Sequence, residues 1–192
     1  MKYPIKRKSA SIQTSYSNLG MTLESDIETT NNYYLNQGIA VIYKKPTPIQ
    51  VVNVDYPARN KAKIVEAYYK TPSTTDFNGI YKGKYIDFDA KETKSKTSFP
   101  LKNIHPHQIE HLKNVRKHGG IAFLIINWRS YNKYFFLPID VILEYWDQMD
   151  TSRKSIPYQT FIDRAHEIKF SFHPRLDYLK IIDEHYINNV PL

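Results

Sequence analysis

The chain of 192 residues carries 27 Lys and Arg against 19 Asp and Glu, a formal net charge of +8, with 41% hydrophobic residues. That is enough apolar material for one sizeable core, and a charge balance suited to a polyanionic partner such as nucleic acid or an anionic membrane face. The absence of cysteine excludes a disulfide framework and a thiolate metal site. The longest apolar run, IAFLII at residues 121–126, is too short to span a bilayer, and no apolar stretch follows the charges of MKYPIKRKSASIQTS at the amino terminus. Nothing there directs export, so the cytoplasm is the expected compartment. Sixteen Tyr, nine Phe and two Trp add stacking surfaces that favour nucleic acid as the partner.

Residues 1–16 are basic, polar and free of acids, and read as an arm that is disordered alone or orders against phosphates. Apolar Leu23, Ile27, Tyr34 and Leu35 predict a helix over residues 22–35, with Glu24, Asp26 and Glu28 near its positive end and Gly38 terminating it. IAVIY, residues 39–43, reads as a strand buried within a sheet. The following KKPTPIQ breaks the pattern: Lys44 and Lys45 add charge and Pro46 interrupts any ladder, so a boundary falls there. VVNVDYP and KIVEAYYK, joined by ARNKA, read as a hairpin inserted at about residues 47–72. With Arg59, Lys61, Lys63 and Lys70 beside Tyr56, Tyr68 and Tyr69, it is too polar to be central, and projects either as a plain excursion or as a finger that touches a partner.

STTDFNGIYKGKYIDFDAKETK, residues 73–94, supplies two further strands. Alternation sends Ile86, Phe88 and Ala90 to one face and Tyr85, Asp87, Asp89 and Lys91 to the other. A turn at Lys82 and Gly83 sets Asp76 directly across from Asp89, with side chains starting roughly 5 Å apart and Thr74 on the same face. Facing carboxylates repel in an ordinary sheet, but a hard divalent cation between them makes the arrangement favourable. Mg2+ is the natural candidate, with Lys91 placed to steady a pentacovalent phosphate: the outline of metal-assisted phosphodiester hydrolysis. Asn78-Gly79 is by composition the stronger two-residue turn, which would lose the pairing; it is taken here as a bulge. The alternative is a solvated face of acids and lysines in mutual salt bridges.

Downstream, NIHPHQIEHLKNVRKHGG predicts a helix with Pro106 in its first turn and Ile109, Leu112 and Val115 inward. Its HQIEH matches the inverted zinc-protease pattern, in which His107 and His111 would bind zinc; five residues match and nothing else supports it. IAFLII predicts a buried strand, YFFLP its partner, and IDVILEYWDQM, IPYQTFIDRAHEI and PRLDYLKIIDEHY amphipathic helices. Lys91, Lys94, Lys96 and Lys102 follow the acidic cluster and could neutralise a phosphate backbone.

Asp76, then Asp89-Ala90-Lys91, within an α-β-β-β-α-β order, resembles the PD-(D/E)-x-K nuclease core. Over residues 17–183, the stretches MTLESDIETTNNYYL, IAVIYKKPTPIQVVNVDYP, EAYYKTPSTTDFNGIYKGKYIDFDAKETKSKTSFPLKNIHPHQIEH and PRLDYL resemble the RecU family of Holliday-junction resolvases. The resemblance implies an α/β, restriction-endonuclease-like fold: a mixed β-sheet flanked by helices, in one nuclease domain over residues 17–192 with the hairpin as a stalk entering the junction. It implies a homodimeric endonuclease that nicks four-way DNA junctions symmetrically in recombination and repair, using Mg2+, for which Mn2+ can substitute. Branch-migration and recombinase proteins are its implied partners.

Carried over by position, Thr74, Asp76, Asp89 and Gln108 form the metal set and Lys91 stabilises the transition state. Lys45 beside Pro46, Arg59, Lys61, Lys63, Tyr68, Lys70, Lys94 and Lys96 are the expected DNA contacts. Two positions depart from the family pattern: Asp89 stands where Glu is usual, and Leu19 where Arg is usual. These departures keep a catalytically weak or silent junction-binding protein as one alternative; a sequence-specific duplex endonuclease is the other. Two incisions related by a twofold axis need two metal clusters, so two chains are the least sufficient assembly.

Overall fold

The computed structural model describes residues 22–70 and 74–188; the amino-terminal arm and Leu19 lie outside the described residues. Helix α1 (Leu23–Asn36) begins where the Thr22 hydroxyl accepts a hydrogen bond from the Ser25 amide at 3.3 Å. It buries Leu23, Ile27 and Tyr34, while Leu35 is exposed. Strand β1 (Val41–Lys44) follows, then β2 (Ile49–Asp55) and β3 (Lys63–Tyr69), which pair antiparallel in a two-stranded sheet of their own. Strands β4 (Phe77–Tyr81) and β5 (Lys84–Thr93) form a hairpin, followed by β6 (Ser98–Pro100), α2 (Pro106–Lys117), β7 (Ile121–Trp128) and β8 (Lys133–Pro138). Last come α3 (Ile139–Trp146), β9 (Ser155–Pro157), α4 (Tyr158–Arg164), β10 (His166–Ile168) and α5 (Tyr178–Ile182).

The main sheet has the order β1-β4-β5-β7-β8-β10, with β5 and β7 parallel and every other pair antiparallel. Strand β7 explains the layering. Its Ile121, Phe123 and Ile125 enter a core shared with α1 and α5, while Ala122, Leu124, Ile126 and Trp128 enter a second core shared with α2, α3 and α4. A strand buried on both faces must be apolar throughout, which is why IAFLII lacks alternation. Through the first core runs a ladder of rings, Phe77 on Phe88 at 5.1 Å, Phe88 on Phe123 at 4.7 Å and Phe123 on Phe136 at 4.0 Å, crossing four adjacent strands and pinning their register.

The β4–β5 turn falls at Lys82 and Gly83, with φ of 46° and 74°. Both central residues are left-handed, as a tight hairpin turn that follows the strand twist requires. Gly79 is not a bulge: it pairs in unbroken register with Ile86 on one side and Ile42 on the other. A Cβ there would lie 2.1 Å from the Val41 carbonyl oxygen, so the glycine admits the β1 backbone and does not turn the chain.

Two further expectations are corrected. IAVIY is an edge strand and not a buried one: α1 covers the face carrying Ile42, while Val41 and Tyr43 are solvent-exposed. IPYQTFIDRAHEI is not one helix but β9, α4 and β10. Ala165 turns to an extended φ of −97° and ψ of 164°, and His166–Ile168 then pair with β8 to close the sheet.

Candidate active site and metal centre

The polar face of β5 carries the site. Phe88 sits in the aromatic ladder, so the pleat turns Asp87 and Asp89 to the opposite face, and both are fully buried. The β4–β5 register, continued one residue past Phe77↔Phe88, brings Asp76 opposite Asp89. Asp76 Oδ2 lies 3.4 Å from the Ala90 amide, and Asp89 Oδ1 accepts from that same amide at 3.0 Å. The two carboxyls therefore converge on one backbone donor.

Lys91 Nζ forms an ion pair with Asp89 Oδ2 at 2.9 Å, the one charge that faces this buried oxygen beside the second carboxyl. Burial, reinforced by the adjacent Asp76 carboxyl and only partly offset by Lys91, pushes the Asp89 carboxyl up to about 8. A buried carboxylate left short of donors next to a second carboxylate is unfavourable without a cation, and these oxygen donors suit a hard divalent ion.

Helix α2 lies over this face. His111 Nε2 is 2.9 Å from Asp87 Oδ2, and Gly120, just beyond the helix, approaches the Tyr85 carbonyl, so α2 runs antiparallel to β5. Gln108 is one turn before His111, about 4.5 Å along the axis, and Asp89 is two residues beyond Asp87, about 6.8 Å along the strand. Gln108 therefore lies toward the Asp89 end of β5 from His111. It is buried, not the ordinary surface amide that its place near a helix start suggests, and its Oε1 accepts from the His105 amide at 3.1 Å. Thr74 is half-buried two residues before Asp76. The structure thus brings Asp76, Asp89 and Lys91 into contact and sets Gln108 and Thr74 on the elements flanking them.

The model of the family described as RecU, Recombination protein U, matches residues 18–184. The chain belongs to the RecU family. Relatives include the Holliday junction resolvase RecU of Bacillus pumilus (strain SAFR-032), 53% identical over 92% of this chain and 86% of its own length. That of Bacillus mycoides (strain KBAB4) is 50% identical over 97% of this chain and 91% of its own. A solved structure of Hjc, a Holliday junction resolvase from Archaeoglobus fulgidus, aligns with 52% of this chain and 75% of its own at 13% identity and a TM-score of 0.33. That likeness is too distant to carry residues across.

The exposed basic residues expected to meet DNA in this RecU-family chain divide into two groups. Lys61, Lys63 and Lys70 are exposed on or beside the β2–β3 ribbon, whose turn contains Arg59–Lys61. Tyr68 is exposed there too, its hydroxyl donating to Glu66 Oε1 at 2.8 Å. Lys94 and Lys96 are exposed on the loop leaving β5; Ser130 and Tyr131 hydroxyls hold this loop by the Lys94 and Lys96 carbonyls, each at 2.5 Å.

Lys45 differs. Its ammonium lies 2.8 Å from Asp87 Oδ2 and 2.9 Å from the Thr75 hydroxyl and is mostly buried, so its charge is engaged inside the protein. Glu24 pairs with Lys44 at 2.7 Å. His107 and His111 do not join as zinc ligands: His111 is bound to Asp87 and His107 stacks on His105. Sequence reasoning missed the cluster on Asp87; its one signal was the alternation that put Asp87 on the face of Asp89.

Proposed function

We infer that this chain is a divalent-cation-dependent, structure-selective endonuclease that resolves Holliday junctions by paired symmetric nicks. The observation that carries the reading is the convergence of two carboxyls, one of them fully buried, beside an ammonium group in ion-pair contact. The β-hairpin register that creates this convergence belongs to a chain whose family membership spans residues 18–184.

Asp76 and Asp89 would hold the cation, Mg2+ by preference, with Thr74 and Gln108 completing or orienting its shell. Bound there, such an ion neutralises charge on the scissile phosphate and acidifies a water for attack. Lys91, its side chain 17% exposed, keeps one charged donor at the mouth of the site, where charge accumulates on the phosphate oxygens. The Gln108 amide is fixed by its bond to the His105 backbone, so it loses little freedom on engaging a ligand.

The exposed lysines of the ribbon and of the loop after β5 supply phosphate contacts, and the net charge of +8 draws the junction in. One carboxylate pair per chain makes a homodimer the least assembly for two incisions. No helix among the described residues is long and apolar enough to cross a membrane, and the cytoplasm, where the DNA is, fits the activity.

The test is nicking of a synthetic four-way junction in Mg2+, with its linear arms as the comparison. The junction should be cut in preference to the arms, at symmetric positions. Asp76→Asn, folded by circular dichroism, should show no detectable nicking; cleavage that survives it overturns the site, and equal cutting of the arms favours a duplex endonuclease.

A further inference from the structure

Asp87 lies one step below the carboxylate pair, two residues before Asp89 on the same face of β5, and is fully buried. Its Oδ2 receives the Tyr85 hydroxyl at 2.8 Å, Lys45 Nζ at 2.8 Å and His111 Nε2 at 2.9 Å, and its Oδ1 accepts from the Thr75 hydroxyl. Lys45 Nζ also reaches the Thr75 hydroxyl at 2.9 Å, closing a ring. No cation is called for here: the carboxylate is already saturated with donors, one of them a full charge.

Each donor is bonded to, or adjoins, a segment of the cation site. Thr75 sits between Thr74 and Asp76. The Lys45 amide donates to the Asp76 carbonyl at 2.7 Å, so the same residue grips Asp87 by its side chain and Asp76 by its backbone. His111 is one turn after Gln108 and fixes how deeply α2 seats on the sheet. Tyr85 is on β5 itself, two residues from Asp87 and four from Asp89. Remove the carboxylate and three separate pieces of chain, the stretch leading into β4, the end of β1 and the helix α2, lose their common anchor.

Burying a charge in a network of this kind is a poor way to gain stability alone, because desolvation offsets most of the attraction. What such a network does well is fix position, and second-layer partners that orient metal ligands act in this manner. We propose that Asp87 is the positioning residue of the cation site, holding the Thr74–Asp76 segment and the Gln108 turn at the distance the ion requires, with Lys45 and His111 as its struts. This assigns Lys45 a role inside the protein instead of on the DNA. The inference rests on the cation-site reading given above.

The test measures Mn2+ binding to the full chain without DNA, by calorimetry or by the electron paramagnetic resonance of free Mn2+, alongside nicking rates over a range of Mn2+ concentrations. Asp87→Asn keeps the shape but turns one acceptor into an NH2 group facing a donor. It should weaken Mn2+ binding roughly 10- to 100-fold. Nicking at saturating Mn2+ should return to within a few-fold of the parent, because the ligands themselves remain. His111→Gln, which releases α2 alone, should give a smaller shift of the same kind and serves if Asp87→Asn does not fold.

A folded Asp87→Asn with parental Mn2+ affinity overturns the proposal, as does one whose melting temperature falls while affinity does not. If Asp87→Asn does not fold, parental affinity in folded His111→Gln overturns it. Asp76→Asn is measured in parallel: if it too binds Mn2+ like the parent, the cation site itself is wrong, whereas loss in Asp76→Asn with none in the Asp87 and His111 variants refutes only the positioning role.

Discussion

Asp87 and Asp89 are neighbours on one face of β5, equally inaccessible to solvent, and their surroundings treat them in opposite ways. Asp87 has four side-chain donors. Asp89 has one backbone amide, one ammonium in ion-pair contact and a rival carboxyl. The saturated acid braces its surroundings with nothing left to offer a ligand; the starved one holds an unfavourable interaction that a cation would relieve. Burial and residue type do not tell these two carboxylates apart. The count and aim of the donors do.

The largest test of that contrast is Lys91→Ala. It should lower the nicking rate by about 10²–10³-fold, the scale for losing one preorganised charged donor, while Mn2+ binding stays near parental because Lys91 is outside the proposed ligand set; equal loss of both would make it part of the cation site. Next is Phe88→Ala. This ring lies between the two acids in sequence and in the centre of the aromatic ladder, and its loss should cost about 3–5 kcal/mol in chemical denaturation. Loss of well under 1 kcal/mol would mean the acids are positioned by something other than the ladder.

The electrostatic half of the contrast is open to titration. Asp89, with a folded-state value pushed up to about 8 from 3.8, keeps its proton in the folded state over a range where the unfolded chain releases it. Its contribution to stability is therefore present at acid pH and is lost as pH rises through that range. In EDTA, the melting temperature of Asp89→Asn should gain on that of the parent between about pH 5 and pH 8, and saturating Mg2+ should restore the parent at the upper end. A difference independent of pH would show that Asp89 is as well satisfied as Asp87. The smallest expected effect lies outside the site: Lys61→Ala and Lys63→Ala should each reduce the salt slope of junction binding by about 1 and leave the cation affinity unchanged.

Much of this architecture is legible in the residues. Alternation over Tyr85–Lys91 gives the two faces of β5, and Lys82-Gly83 gives the turn that sets Asp76 against Asp89. The unalternating IAFLII gives the doubly covered strand. Gly79 was harder to read, because a glycine that opens a turn and one that admits a neighbouring backbone look alike until the neighbour is placed. The edge position of β1 depends on which strands its partner also pairs with, and three-residue strands such as His166–Ile168 are too short for any periodicity to register.

In the site, the carboxylate pair and Lys91 followed from spacing, whereas Gln108 came only with the family resemblance. The roles of Lys45 and His111 were hidden because both reach Asp87 across tens of residues of chain. A lysine directly before Pro46 and a histidine in HQIEH each have a more obvious reading on the surface or at a zinc.

The two-residue bend between β4 and β5 has a consequence out of proportion to its size. It is the gauge that decides which side chain meets Asp89. One extra residue inserted at Lys82-Gly83 slides the first arm of the hairpin by about 3.4 Å, and a one-step slip turns every side chain on it toward the other layer. The ladder of amides and carbonyls could mend itself after such a slip while Asp76 faced the wrong way. A folded sheet would remain, without the pair of acids proposed to hold the cation.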